Sequence, residues 1–154
     1  MDPLDTLLED AEQQRNRSLA SFNHSRARCD AARAQASQLE DYRATYRQRW
    51  SLQFSQGSTL DIVRCYQAFA DRLEAAITQQ RLALEHTKSM QSRASDDLNA
   101  HELRVASVRK LIERRALAER QRAERRDQKA SDEQSLRAFT LHGRDTLRAS
   151  GLRS

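Results

Sequence analysis

The chain has 154 residues, of which 38% are hydrophobic and 32% charged, with three glycines, one proline and a net charge of +5. So little turn-forming chemistry excludes a fold built from many short elements, because chain reversals need glycine, proline or equivalent residues. Ala, Arg, Gln, Leu and Glu dominate and strand-favouring residues are sparse, so one domain of long helices is the expectation.

The first element has a clear start. Asp2 can cap the free amides of a first turn, and Pro3 suits the first helical position, where its missing N–H costs nothing. The segment MDPLDTLLED is acidic and has no apolar run, so no secretory signal is expected and the cytoplasm is the implied compartment. Seven-residue spacing then runs without interruption. Leu4, Ala11, Ser18, Ser25, Ala32, Leu39 and Tyr46 fill one seam position; Leu8, Arg15, Phe22, Cys29, Ala36, Arg43 and Trp50 fill the other. Such spacing predicts a coiled-coil helix over 3–54.

The pattern stops at SLQFSQGSTLD. Gly57 can adopt the left-handed conformation that ends a helix, and Ser58 followed by Asp61 reads as a capping-box variant that starts the next. The turn is placed at 55–58 and a second helix at 59–130. Its seam alternates Val63, Ala70, Ile77, Leu84, Gln91, Leu98, Val105 and Ile112 with Tyr66, Leu73, Gln80, Thr87, Ala94, His101 and Val108. Beyond Ile112 the seam becomes charged, at Arg115, Glu119 and Arg122. Residues 131–154 are expected to form a short helix or a disordered tail, with a restart at Ser131 and fraying near Gly143 and Gly151. No stretch approaches ~18 consecutive apolar residues, so none is expected to span a bilayer.

Two long helices joined by a few residues must pack antiparallel. The fold class is therefore all-α: a coiled-coil hairpin over residues 1–130, with the second helix overhanging. With the reversal near Gln56, residue i faces roughly residue 111 − i, and the overhang is about 20 residues, or roughly 30 Å. It holds the arginine-rich stretch ERRALAERQRAERRDQK. Residues 113–154 carry eleven Arg or Lys against seven Asp or Glu, whereas residues 1–112 carry sixteen against fifteen. The basic character thus sits at the C-terminal end. Cys29 and Cys65 fall roughly 25 Å apart along the hairpin, too far for a disulfide. His24 and His86 come near each other but lack a third metal ligand, and no Gly-rich phosphate loop, nucleophile motif or HExxH is present. Neither enzymatic activity nor a cofactor is expected.

One edge of the hairpin is chemically unlike the other. Beside the second seam lie Ile62, Phe69, Ala76, Ala83 and Met90, and beside the first lie Gln35, Tyr42 and Arg49; the opposite flank holds Gln67, Glu74, Arg81 and Lys88. In an antiparallel pair Tyr42 and Phe69 share an edge near the turn. Two readings fit: a core widened to three positions per heptad, or a docking strip. Confinement of the strip to the half nearest the turn favours a partner.

The stretch AQASQLEDYRATYRQRW, the turn, then YQAFADRLEAAITQQ and KLIERRALAERQR resemble the FliJ family of flagellar type III export proteins. The resemblance implies a non-enzymatic central stalk, similar to that of rotary ATPases, at the cytoplasmic face of the flagellar basal body. The implied partners are the hexameric export ATPase, the cytoplasmic domain of the export-gate membrane protein, and export chaperones; membrane association would be through partners only, with no specific nucleic acid. The implied gate contact falls on Gln35, Leu39, Tyr42, Tyr46, Phe69, Leu73, Ala76 and Gln80, where Gln80 replaces the histidine typical of the family. The implied ATPase contact falls on Arg114, Arg115, Arg120, Arg122, Arg125 and Arg126. Alternative readings are the stalk of a virulence-type secretion system, a basic coiled coil that binds nucleic acid, and a self-associating scaffold.

Overall fold

The computed structural model describes residues 2–151. They form two helices, α1 (Pro3–Ser55) and α2 (Leu60–Gly151), packed as an antiparallel hairpin, with no strand among the described residues. The all-α coiled-coil hairpin expected from the sequence is the observed architecture.

Local chemistry explains the ends. The Leu4 amide donates to Oδ1 of Asp2 at 3.2 Å, and Pro3 opens α1. At the other end, the amides of Gln56 and Gly57 donate back to the carbonyls of Gln53 and Phe54, and Gly57 takes φ +91°. A side chain is disfavoured at that dihedral, which is why glycine stands there. The cap of α2 is one residue later than the sequence suggests. Thr59, not Ser58, accepts the first backbone bond, from Val63, and its Oγ1 accepts from the Ile62 amide at 3.5 Å. The turn accordingly occupies 56–59 rather than 55–58.

The predicted seams coincide with the covered positions. All fourteen in α1 are buried or half-buried, and in α2 every one is except Val63, beside the turn. The fully buried set is asymmetric. α1 contributes Ala11, Cys29, Ala32 and Ala36, whereas α2 contributes Leu73, Ile77, Leu98, Val105 and Val108 with only Ala94 among the small residues. Small side chains on one helix leave room for branched ones from the other, so the two sets fit together across the seam. Gln80, a polar seam residue, bonds across the seam: it donates to the Ala32 carbonyl at 3.3 Å and to Oε1 of Gln35 at 3.2 Å.

Helix ends at Ser55 and Leu60 centre the reversal after Gly57, so residue i faces approximately residue 115 − i. Partners therefore shift by about one helical turn from the sequence-based alignment. His24 no longer faces His86, and Cys29 faces the neighbourhood of His86 rather than Leu82. Tyr42 and Phe69 still meet, because aromatic rings span more than one turn. Their centroids are 6.2 Å apart.

The unpaired part of α2 is the largest difference from expectation. Pro3 lies opposite Ile112, so α2 projects from Glu113 to Gly151, roughly 40 residues or about 60 Å. The helix crosses residues 130–131 without a break, since Ser131 comes with no proline or left-handed glycine. Gly143 and Gly151 are accommodated as helical residues. Every residue from Glu113 to His142 is exposed.

Because Ile77 is the largest side chain among those almost fully enclosed, replacing it should leave a cavity the rigid seam cannot close. Ile77→Ala should lower unfolding free energy by about 2–4 kcal/mol in urea titrations followed by helical circular dichroism.

Candidate partner-binding surfaces

Six aromatic side chains gather at the turn end. Tyr46 is the hub: its ring lies 4.4 Å from Phe69, 5.5 Å from Tyr66, 5.8 Å from Trp50 and 6.2 Å from Tyr42. Trp50 and Phe54 continue the stack, and both approach Tyr66, at 5.0 and 5.2 Å. Residues 42, 46, 50 and 54 rise one turn apart on α1, so their rings line one face. Tyr46 stacks with Tyr42 and Tyr66, and the remaining pairs are tilted or edge-on, all of them favourable arrangements for aromatic pairs.

Burial divides this group. Tyr46, Trp50, Phe54, Tyr66 and Phe69 are half-buried, whereas Tyr42 is 49% exposed although it touches both Tyr46 and Phe69. Tyr42 thus stands on a floor of other rings with its outer half open to solvent. Of the other residues the resemblance placed at a gate contact, Gln35 and Ala76 are exposed on the same edge. Leu39 and Gln80 are half-buried, and Leu73 is enclosed. A shallow groove is lined by Gln35, Gln38, Leu39, Tyr42 and Gln80; Leu73 and Ala76 do not line it. Phe54 was not singled out in the sequence; its spacing of four from Trp50 was the available signal.

The opposite edge is closed by ions. Arg43 and Arg47 both donate to Glu74 at 3.1 Å, and Arg81 donates to Glu40 at 2.8 Å. Further along, Arg109 meets Glu12 at 2.8 Å. Partly exposed pairs of this kind contribute little stability individually, at most about 1 kcal/mol. Their effect is to saturate that edge.

On the overhang, Arg115 is already engaged. It donates to Asp2 at 2.9 Å and lies 3.5 Å from Glu119, tying the open end of α1 to α2. Arg114, Arg120, Arg122, Arg125 and Arg126 are exposed and make no ion pair among the described residues. At about 100° per residue, Arg114, Arg122, Arg125 and Arg126 fall on one side, with Glu113, Glu124 and Asp127 opposite. Leu136, Phe139 and Leu147, near the far end, are 67–78% exposed and share a face. Cys29 is a buried free thiol and Cys65 an exposed one. No group of three potential metal ligands comes together among the described residues.

The family model described as flagellar FliJ protein matches residues 1–144. The chain belongs to the FliJ family. The match extends along most of the overhang, so the projecting helix is part of what the chain shares with FliJ proteins. Membership makes this a coiled-coil protein of flagellar export, a family of structural, non-catalytic components. No curated protein and no solved structure matches the chain. Among the described residues no helix is long and apolar enough to cross a membrane.

Within this FliJ-family hairpin, the division of the rings into floor and edge is measurable. Tyr46→Ala removes the hub and should lower stability by about 2–3 kcal/mol, while Tyr42→Ala should lower it by less than about 1 kcal/mol. Urea midpoints of the two variants against the parent would rank them.

Proposed function

We propose that the hairpin is a stalk in flagellar protein export, joining a ring-shaped export ATPase at its overhang to the cytoplasmic domain of the export gate near its turn. The observation that carries this reading is Tyr42, an aromatic ring half in solvent yet seated on Tyr46 and Phe69. A ring held in place before binding loses little conformational freedom when a partner covers it. Beside it the same edge carries the amides Gln35 and Gln80, the small Ala76 and the half-buried Leu39, uncharged side chains that permit close approach. Tyr46 and Leu73 support the edge from beneath, and Phe69 belongs to both layers. The opposite edge has its charges paired internally and offers a partner less.

At the other end, Arg114, Arg120, Arg122, Arg125 and Arg126 project from a helix with no neighbour in the chain. A helix about 60 Å long and roughly 10–12 Å across is the shape that a ring with an acidic lumen could enclose. Arg115, paired to Asp2, holds the base of that helix to α1 before any partner is met. The family match and the length of the overhang support this arrangement. Assistance to export chaperones and a position at the cytoplasmic face of the basal body belong to the same proposal.

Two measurements test the two ends separately. Tyr42→Ala should weaken binding to the gate's cytoplasmic domain by more than ~1 kcal/mol in calorimetry, with helical content unchanged; unaltered affinity would remove the edge from the contact. Reversing Arg120, Arg122, Arg125 and Arg126 to glutamate should abolish stimulation of ATP hydrolysis by the cognate ATPase while leaving gate binding intact. Full stimulation by that variant would dissociate these arginines from the ring.

A further inference from the structure

A second surface lies where α2 leaves α1, on the outer side of α2, away from the seam. Leu103, Leu111 and Leu117 are 69%, 48% and 52% exposed there. At about 100° per residue they occupy one third of the helix circumference together with Ser107, Lys110, Arg114 and Ala118. Ser107, Lys110, Leu111 and Arg114 line a shallow groove on this face. Leu7 of α1, 37% exposed, flanks it beside Leu111.

The charges on this face differ from those beside it. Arg109 and Arg115 turn inward to Glu12 and Asp2. Lys110 and Arg114, on the outer face between them, make no ion pair among the described residues. Of the acids of this stretch, Glu102 and Glu119 lie on other sides of the helix, and Glu113 borders the face without pairing to Lys110, so the face itself presents leucine and base. A leucine at Leu103 or Leu117 adds nothing to the hairpin seam and exposes apolar area that a partner could cover.

We propose that this face docks an acidic amphipathic helix of a separate protein, its apolar stripe on Leu103, Leu111 and Leu117 and its carboxylates on Lys110 and Arg114. Complementary charge selects the occupant. A second copy of this chain would bring like charge to like charge, since its own matching face is basic. An acidic helix brings a carboxylate to each free base while its leucines interleave with those of α2, the groove-docking geometry of amphipathic helices. The site stands apart from the turn-end edge; it shares Arg114 with the ring-facing set proposed above, so its test rests on Lys110, Leu103 and Leu117, which belong to neither the gate nor the ring contacts.

The test uses the full chain and three synthetic helical peptides labelled for fluorescence anisotropy. One has a leucine stripe flanked by glutamate, one the same stripe flanked by lysine, and one glutamate with alanine replacing leucine. Saturable binding of the first, at least tenfold tighter than of either control, is expected. Lys110→Glu and the pair Leu103→Ser with Leu117→Ser should each weaken it at least tenfold, with melting temperature unchanged. Leu136→Ser with Phe139→Ser, on the distal overhang, should leave it unaltered. Equal binding of the lysine peptide, or indifference to the Lys110 and leucine substitutions, overturns the proposal. So does a chain that sediments as a dimer and becomes monomeric on Leu103→Ser with Leu117→Ser, because a second copy would then own the face.

Discussion

Packing of small α1 residues against branched α2 residues is the interaction on which the other features depend. Ala32, Ala36 and Cys29 bring the backbones close enough for Ile77, Leu73 and their neighbours to be enclosed between only two helices. A two-helix hairpin has no third layer to cover bulky side chains; along the aliphatic stretch it meets this by setting small residues against branched ones, and at the turn end by stacking flat rings. Every consequence for binding follows from that proximity. It sets Tyr42 beside Phe69 on one edge, leaves the opposite edge narrow enough for Arg43 and Arg81 to reach their acids, and fixes where α1 ends against α2.

Hydrophobic packing alone would tolerate a slip of seven residues, since the seam repeats with that period. The ionic edge discriminates. Sliding α2 one heptad so that each residue of α1 meets the heptad before its present partner brings Glu40 beside Glu74 and Glu12 beside Glu102. The same slip sets Arg33 beside Arg81. The observed alignment instead gives Glu40–Arg81, Arg47–Glu74 and Glu12–Arg109. A slip the other way sets Arg47 against Arg81 and requires the short turn at 56–59 to be rebuilt. One like-charged juncture, Arg33 near Lys88, persists in the observed register, and each of these residues turns to an acid on its own helix, Asp30 and Glu85. Ion pairs that add little stability singly therefore decide which of several packable alignments is populated.

How much of this was legible in the sequence follows from the range of the forces involved. Helix positions, the seam and the start at Asp2–Pro3 depend on local propensity and periodicity, which one strand of sequence displays in full. The meeting of Tyr42 with Phe69 was legible because the turn signal at Gly57 is strong. The shift in alignment was not: the reversal is centred after Gly57 rather than near Gln56, and both helix ends lie one residue later, differences set by a choice among adjacent turn residues that local sequence does not resolve. The extent of α2 was underestimated for a related reason: a serine and a charged seam suggest an end, yet neither breaks a backbone hydrogen bond. The partition of the aromatic residues into floor and edge needs rotamers and neighbours, and periodicity assigns only faces.

Stability is distributed unevenly along the molecule, and the distribution matches what each part would have to do. Aromatic stacking concentrates apolar contact at the turn, and Val105, Val108 and Ile112 with Leu4 and Leu8 close the open end. Between them the seam carries Arg15, Ser18 and Ser25 on α1 and Thr87, Gln91 and His101 on α2. Polar layers of this kind hold register at lower stability than aliphatic ones, so the middle is where the pair can twist or open locally at least cost. α2 nevertheless passes through it as one continuous helix from Leu60 to Gly151, carrying Phe69 at one end and the free arginines at the other. In the proposed stalk, the overhang and the turn-end edge are joined by a single continuous backbone, that of α2. The seam is thus aromatic at the turn, aliphatic at the open end and mixed between them, where the buried Cys29, Ala94 and Leu98 alternate with polar layers, while α2 alone runs unbroken through all three and on into the overhang.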